Sequence, residues 1–286
     1  MSGWHWFLLG LAMAANAVGM CFVWKRAAAL WGKPTLPWLV VAVAVIAGIA
    51  IFMPSWQMML SLALAPVVIH IKIRMVEKAR ERERALASLA GELGLAFSVG
   101  DSTQLVRRYA AFELLRRGKD QAASNVLQGR HAGRKVVAFD FQYVTGGGDN
   151  RRNHRLSVVV LTAAGSLGDL LIRPEKLGDK LKASVGAGDI NFESHEFSSR
   201  YFVNARDRKL AYDVISPQVM DHLLANQGWT IEACGCDVMI TDGQVLTPER
   251  FCEALGVIEG FLDRVPRFVW KELGEAREAR EAKGTS

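Results

Sequence analysis

Apolar residues run almost without interruption through the first 73 positions, and shorter periodic patterns take over beyond them. Three runs stand out: Trp4 to Trp24, Pro37 to Met53 and Trp56 to Ile73. Each holds roughly 17 to 21 residues, which at about 1.5 Å of rise per residue matches a hydrocarbon layer of about 30 Å. A helix is the open-chain form that satisfies its own backbone groups in lipid. The pattern therefore predicts three transmembrane helices, at 4–24, 37–53 and 56–73, within a membrane domain spanning 1–76. Pro54-Ser55 marks a tight turn between the second and third, because proline disfavours helix at the residue before it. Fusing those two runs into one re-entrant unit would give about 37 residues, too long for a single crossing.

Beyond the third run the charges alternate in sign from Glu77 to Arg84. Opposite charges at this spacing support a solvated juxtamembrane helix over 77–95, ending near Gly94. A second helix is expected from Ser102 or Thr103 to Arg117-Gly118, with Leu105, Tyr109, Phe112 and Leu115 at helical spacing. The period then shortens. Strands are expected at 125–128, 135–145, 154–162 and 169–173, and Val137, Phe139, Phe141 and Tyr143 share one face of the second. Pro174-Glu175 should open a short helix to about Ala183. A strand at 199–204 precedes a helical stretch, 207–226, interrupted at Pro217. Short strands follow at 229–233, 236–241 and 244–246, the last two joined by an Asp242-Gly243 turn. Thr247-Pro248-Glu249 then starts a helix to about Val265. The fold class is α+β: transmembrane helices, then a cytoplasmic antiparallel-sheet domain with flanking helices over 96–270 and a flexible charged tail at 271–286.

Charge sharpens the membrane reading. The first 76 residues contain five Lys/Arg and no Asp or Glu, while the rest carries 30 Lys/Arg against 29 Asp/Glu. Almost all of the net charge of +6 therefore lies in the apolar block. That is a topology signal with attraction for anionic lipid, not a nucleic-acid footprint. Lys25, Arg26 and Lys33 follow the first run, and Lys72, Arg74, Lys78, Arg80, Arg82 and Arg84 lie at the end of the third or after it. Keeping these on the cytoplasmic side places the N-terminus outside and the C-terminal domain in the cytoplasm. Six of the eight Trp fall at or near run ends, as an interfacial aromatic belt requires. Away from the outermost two residues at each run end, Asn16, Ser61 and His70 are the few polar groups inside the runs, too few to line a transport path, so the block reads as an anchor.

The cytoplasmic part offers several temptations and no complete catalytic signature. Gly146-Gly147-Gly148-Asp149-Asn150 lies between strands, whereas a phosphate loop joins a strand to a helix. Beside it Arg151, Arg152, His154 and Arg155 form a basic cluster, read first as solvated loop charge and alternatively as a contact for an anion or an acidic partner. Asp189, Glu193, His195 and Glu196 share one polar loop, which any loop of that composition supplies by chance. Cys234-Gly235-Cys236 with Cys252 lacks the spacing and the fourth ligand of a zinc site. No catalytic residue, cofactor or metal site is assigned. For an enzyme, the best face would be that of Asp140, His154 and Arg173.

Stretches such as Phe112-Glu113-Leu114-Leu115-Arg116-Arg117-Gly118, Val137-Ala138-Phe139-Asp140-Phe141-Gln142-Tyr143 and Leu171-Ile172-Arg173-Pro174-Glu175 resemble a broad group of uncharacterised bacterial proteins. Asn125-Val126-Leu127-Gln128-Gly129 and Phe197-Ser198-Ser199-Arg200-Tyr201 add to the resemblance, which covers about 85–265. It implies an inner-membrane protein with N-terminal spans and one cytoplasmic domain, and implies no activity. The expected function is a membrane-anchored cytoplasmic binding or scaffolding domain. Its partners would be the bilayer and a cytoplasmic protein, with no nucleic acid. The alternative is a membrane-bound enzyme of unrecognised type, for instance a hydrolase acting on lipid or envelope precursors.

Overall fold

The computed structural model describes residues 56–100, 103–175 and 190–284, with side chains described from 64 to 275 within them. The chain divides into two compact units, 1–82 and 83–286.

In the first unit the described part is the beginning of helix α1 (Trp56–Glu92), which carries Pro66 inside it. The third expected span falls on this helix. Leu64, Val67, Val68, Ile69, Ile71 and Met75 are exposed along it. Among the described residues no helix is long and apolar enough to cross a membrane. The expected spans at 4–24 and 37–53, with Asn16, lie outside the described residues.

The second unit is built on an antiparallel sheet, to which the described residues contribute eight strands. They are β1 (Ala96–Ser98), β2 (Lys119–His131), β3 (Arg134–Thr145), β4 (Arg152–Thr162), β5 (Asp169–Pro174), β6 (Tyr201–Ala205), β7 (Thr230–Cys234) and β8 (Asp237–Thr241). Their order is β1-β2-β3-β4-β8-β7-β5-β6, so β8 and β7 insert between β4 and β5. The further helices among the unit's described residues are α2 (Thr103–Arg108), α3 (His195–Arg200), α4 (Arg208–Val214), α5 (Pro217–Ala225), α6 (Pro248–Arg264) and α7 (Arg267–Gly284).

Alternation along the strands divides the apolar residues between two cores, one on each face. The larger gathers Leu86, Leu89 and Ala90 of α1, Val219 and Leu223 of α5, Phe251, Ile258 and Phe261 of α6, and Val269 of α7 against Ala138, Val159, Leu161, Ile231 and Ile240. The smaller lies on the opposite face. There Val106, Tyr109, Phe112 and Leu115 cover Val137, Phe139, Phe141, Tyr143, Val158, Val160 and Met239. The face predicted for Val137, Phe139, Phe141 and Tyr143 is thus a single buried face.

Several local expectations change. The helix expected over 103–117 stops at Arg108 and is followed by turns and a 3₁₀ turn, Leu114–Arg116. The backbone N–H of Glu113 donates to the carboxylate of Glu232 at 2.5 Å, so a tertiary hydrogen bond replaces a helical one there. The apolar spacing still holds, because Tyr109, Phe112 and Leu115 all reach the core. The hairpin between β2 and β3 is tighter than its composition suggests. His131 pairs with Arg134, and Ala132 and Gly133 both have positive φ, 45° and 79°, as a two-residue primed turn requires.

Pro174 closes β5 opposite Tyr201 instead of opening a helix, and 176–189 lies outside the described residues. The turn expected at Asp242-Gly243 joins no strand at 244–246. Instead, Gly235-Cys236 joins β7 to β8, and Gln244 and Leu246 bond back to Ser157. The segment expected as a charged tail lies in α7, which runs to Gly284.

Candidate functional site

Asp140 is fully buried on β3, on the same face as Ala138 of the larger core. It is a hub. Asn125 Nδ2 donates to its Oδ2 at 2.9 Å, Arg155 Nη2 donates to the same oxygen at 3.0 Å, and Ser157 Oγ donates to Oδ1 at 2.5 Å. Asn125 sits in a bulge of β2, at φ 52°, between the pairs at Ser124 and Leu127. A bulge re-aims a side chain, and here it turns the Asn125 amide toward the carboxylate. Ser157 extends the network: its Oγ accepts from Leu246 N at 3.0 Å, its N–H donates to Gln244 O, and its carbonyl accepts from Thr241 Oγ1 at 2.7 Å. A buried charge costs several kcal/mol unless paired and hydrogen-bonded. Asp140 meets that condition, and the network fixes the β8–α6 connection to the sheet.

His154 lies on the other face. It opposes Tyr143 across β3 and β4, with ring centroids 4.7 Å apart and planes within 11°. Its Nε2 is 2.7 Å from Thr145 Oγ1. Arg173 is three strands away on β5, where its guanidinium lies 4.3 Å from the centre of the Phe202 ring. Following the register through β8 and β7, Arg173 lies level with Val158, four residues along from His154. Asp140, His154 and Arg173 therefore do not meet.

Arg152 pairs with Thr145 at the start of β4, and Arg151 belongs to a different local arrangement. Arg151 Nη2 approaches Asp120 Oδ2 at 3.2 Å, linking the β3–β4 connection to the start of β2. Asp120 lines a surface cleft of about 240 Å³ with Thr103, Val106, Arg107, Gly118, Lys119 and Gln121. Gly118 is needed where it stands: its φ is +67°, and a Cβ there would lie 2.4 Å from the Val144 carbonyl oxygen. Gly146 is equally constrained on the adjoining connection, at φ +72° with Asn150 O at 2.2 Å from such a Cβ. The glycine run thus serves a tight hairpin end.

Residues 103–121 and 148–155 together hold eight Lys/Arg against three Asp/Glu, while the remainder of 77–286 holds 22 against 26. The near-neutral domain is therefore polarised. Arg107 and Lys119 were not visible as site residues in the sequence, lying 44 and 32 positions before Arg151. Placing the start of β2 at 119 instead of 125 would have brought them beside the hairpin.

The remaining candidates are separate. His195 and Glu196 are exposed on α3, capped by Ser194, whose side chain accepts from Phe197 N. Asp189 lies outside the described residues. Cys234 ends β7 and Cys236 lies in the β7–β8 turn, and all three described cysteines are free. Burial, with help from Glu232 and Asp169, pushes the Cys234 thiol up to about 12, and burial also raises Cys252. Neither thiol is poised as a thiolate nucleophile. Among the described residues no group of three or more His, Cys, Asp or Glu could hold a metal ion. Glu232 is buried beneath the 3₁₀ turn, and desolvation raises its carboxyl despite backbone hydrogen bonds from Glu113 and Leu114.

No protein-family model matches the chain. No curated protein matches it either. Among solved structures it is similar to the crystal structure of the mycobacterial trehalose monomycolate transport factor A, TtfA. The identity is 15% and the TM-score 0.47, over 65% of this chain and 96% of that one.

Proposed function

We infer that the protein is a membrane-anchored binding or scaffolding module whose sheet domain works in the cytoplasm. One observation carries this reading: the polar groups that the sequence offers for an acid/base centre, Asp140 and His154, are divided between two faces and committed to holding strands together. Asp140 binds Asn125, Arg155 and Ser157, while His154 is stacked on Tyr143 and bonded to Thr145. The surface left for chemistry is a polarised charge distribution, which suits recognition.

The anchor rests on the sequence: three apolar runs, the absence of acids through residue 76, and the Lys/Arg bias around them. The exposed Leu64, Val67, Val68 and Ile71 at the start of α1 fit a segment meant to meet lipid.

The test is co-purification of the full chain from gently solubilised membranes, followed by mass spectrometry. A stoichiometric protein or lipid that stays bound through purification supports the reading. A chain extracted from membranes by carbonate alone would overturn the anchor, and turnover of a candidate substrate abolished by His154→Ala in a folded variant would overturn the non-catalytic part.

A further inference from the structure

We propose that the cleft between α2 and the start of β2 is a binding site for a phosphate-bearing anion, with Arg107 and Lys119 as its two principal contacts. The proposal rests on the binding-module reading and names the ligand class for it. Two cations line it, Arg107 from α2 and Lys119 from β2, and Arg151 of the β3–β4 connection pairs with the lining residue Asp120. All three are exposed.

Among the described residues Arg107 and Lys119 make no ion pair, whereas the acid lining the cleft, Asp120, is paired through Oδ2 with Arg151 at 3.2 Å. Gln121 is also committed, its Nε2 donating to Arg117 O at 2.9 Å. What remains is a donor-rich concavity: a guanidinium fork, an ammonium and the Thr103 hydroxyl, with its carboxylate paired to Arg151. Two cations around a concave space favour an oxyanion of more than one charge, and a guanidinium matches the phosphate oxygens in bidentate fashion.

Size narrows the ligand further. At about 240 Å³ the cleft is smaller than the roughly 300–1,000 Å³ of sites that engulf drug-sized molecules. It suits a phosphate group whose remainder projects outward, as on a lipid head group or a small phosphate monoester. An extended acidic protein segment would instead call for a flat or elongated basic surface.

The experiment uses the full chain in a neutral detergent, as wild type, as the double variant Arg107→Ala/Lys119→Ala, and as Arg206→Ala for an exposed arginine elsewhere. Inorganic phosphate is titrated by calorimetry, and retention of phosphatidylglycerol against phosphatidylcholine is read by native mass spectrometry. Thermal melting checks that the variants, all altered at exposed positions, remain folded.

The expected result is binding by wild type and Arg206→Ala, weakened about tenfold or more in the double variant, with affinity falling as salt rises. Binding of inorganic phosphate identifies a soluble phosphate as sufficient; selective retention of phosphatidylglycerol alone identifies the head group. Equal affinity of wild type and double variant for both probes overturns the site. A co-purifying acidic protein lost from the double variant, with neither phosphate probe binding, overturns the phosphate assignment and leaves the binding-module reading standing. Failure of both the probes and the co-purification removes both.

Discussion

The imidazole of His222 fills the space that a side chain at Gly260 would need. A Cβ at Gly260 would lie 2.5 Å from His222 Cε1, where α5 and α6 pack together. The ring has little freedom to yield. Its Nε2 lies 2.9 Å from the Val257 carbonyl, which accepts the N–H, and its Nδ1 is 3.4 Å from Asn226 Nδ2. Gly260→Ala should therefore destabilise the domain by about 1–3 kcal/mol, although alanine is the better helix former. Urea unfolding of the two proteins measures it, and a gain in stability would show that the ring moves aside.

Ser157 is expected to matter more than its size suggests. Replacing it with alanine leaves the Leu246 N–H without its acceptor and removes one donor from the buried Asp140 carboxylate. The cost should be about 1–3 kcal/mol. Hydrogen exchange should rise selectively at the 242–246 connection, and unchanged protection there would refute the pinning role.

His154→Ala should lower stability by about 1 kcal/mol through loss of the stacked pair with Tyr143 and the bond to Thr145. Partner or anion binding should survive it. A variant that is fully stable but has lost binding would return His154 to the functional surface.

Glu232 gives a pH signature. Burial raises its carboxyl in the folded chain above its ordinary value. Between those two values the folded state holds the proton more tightly than the unfolded state. The contribution of Glu232 is therefore fully present below the ordinary carboxylate range and is lost as pH rises through the raised value. Glu232→Gln, which keeps an acceptor for the Glu113 N–H, should remove that slope. Denaturation curves across mildly acidic to neutral pH should show the variant gaining on wild type as pH rises. Parallel curves would mean the carboxyl is not perturbed.

The sheet face of β3 was legible because alternation over Val137, Phe139, Phe141 and Tyr143 is a local signal, and so was α6, with Thr247 capping it and Pro248 at its first turn. The strand alternation also concealed something. Asp140 follows Phe139 and precedes Phe141, so it must point to the opposite face, and grouping it with His154 ignored that parity. The split of the 103–117 helix could not be read locally, since it depends on Glu232, 119 positions beyond Glu113. The cleft was hidden for the same reason: Arg151 reaches Asp120, beside Lys119, only once β2 and β3 pair back to Lys119 opposite Val144.

The ends of the sheet carry a consequence for how this protein meets others. On one side it finishes with β1, only three residues long, and on the other with β6, where Val203 O already accepts from Ile190 N. β1 covers only Val126, Leu127 and Gln128 of β2, so among the described residues the rest of that border of β2 has no strand beside it. A three-residue β1 is thus too short to close that border, and the length of β2 beyond it is where backbone pairing with another chain would be met.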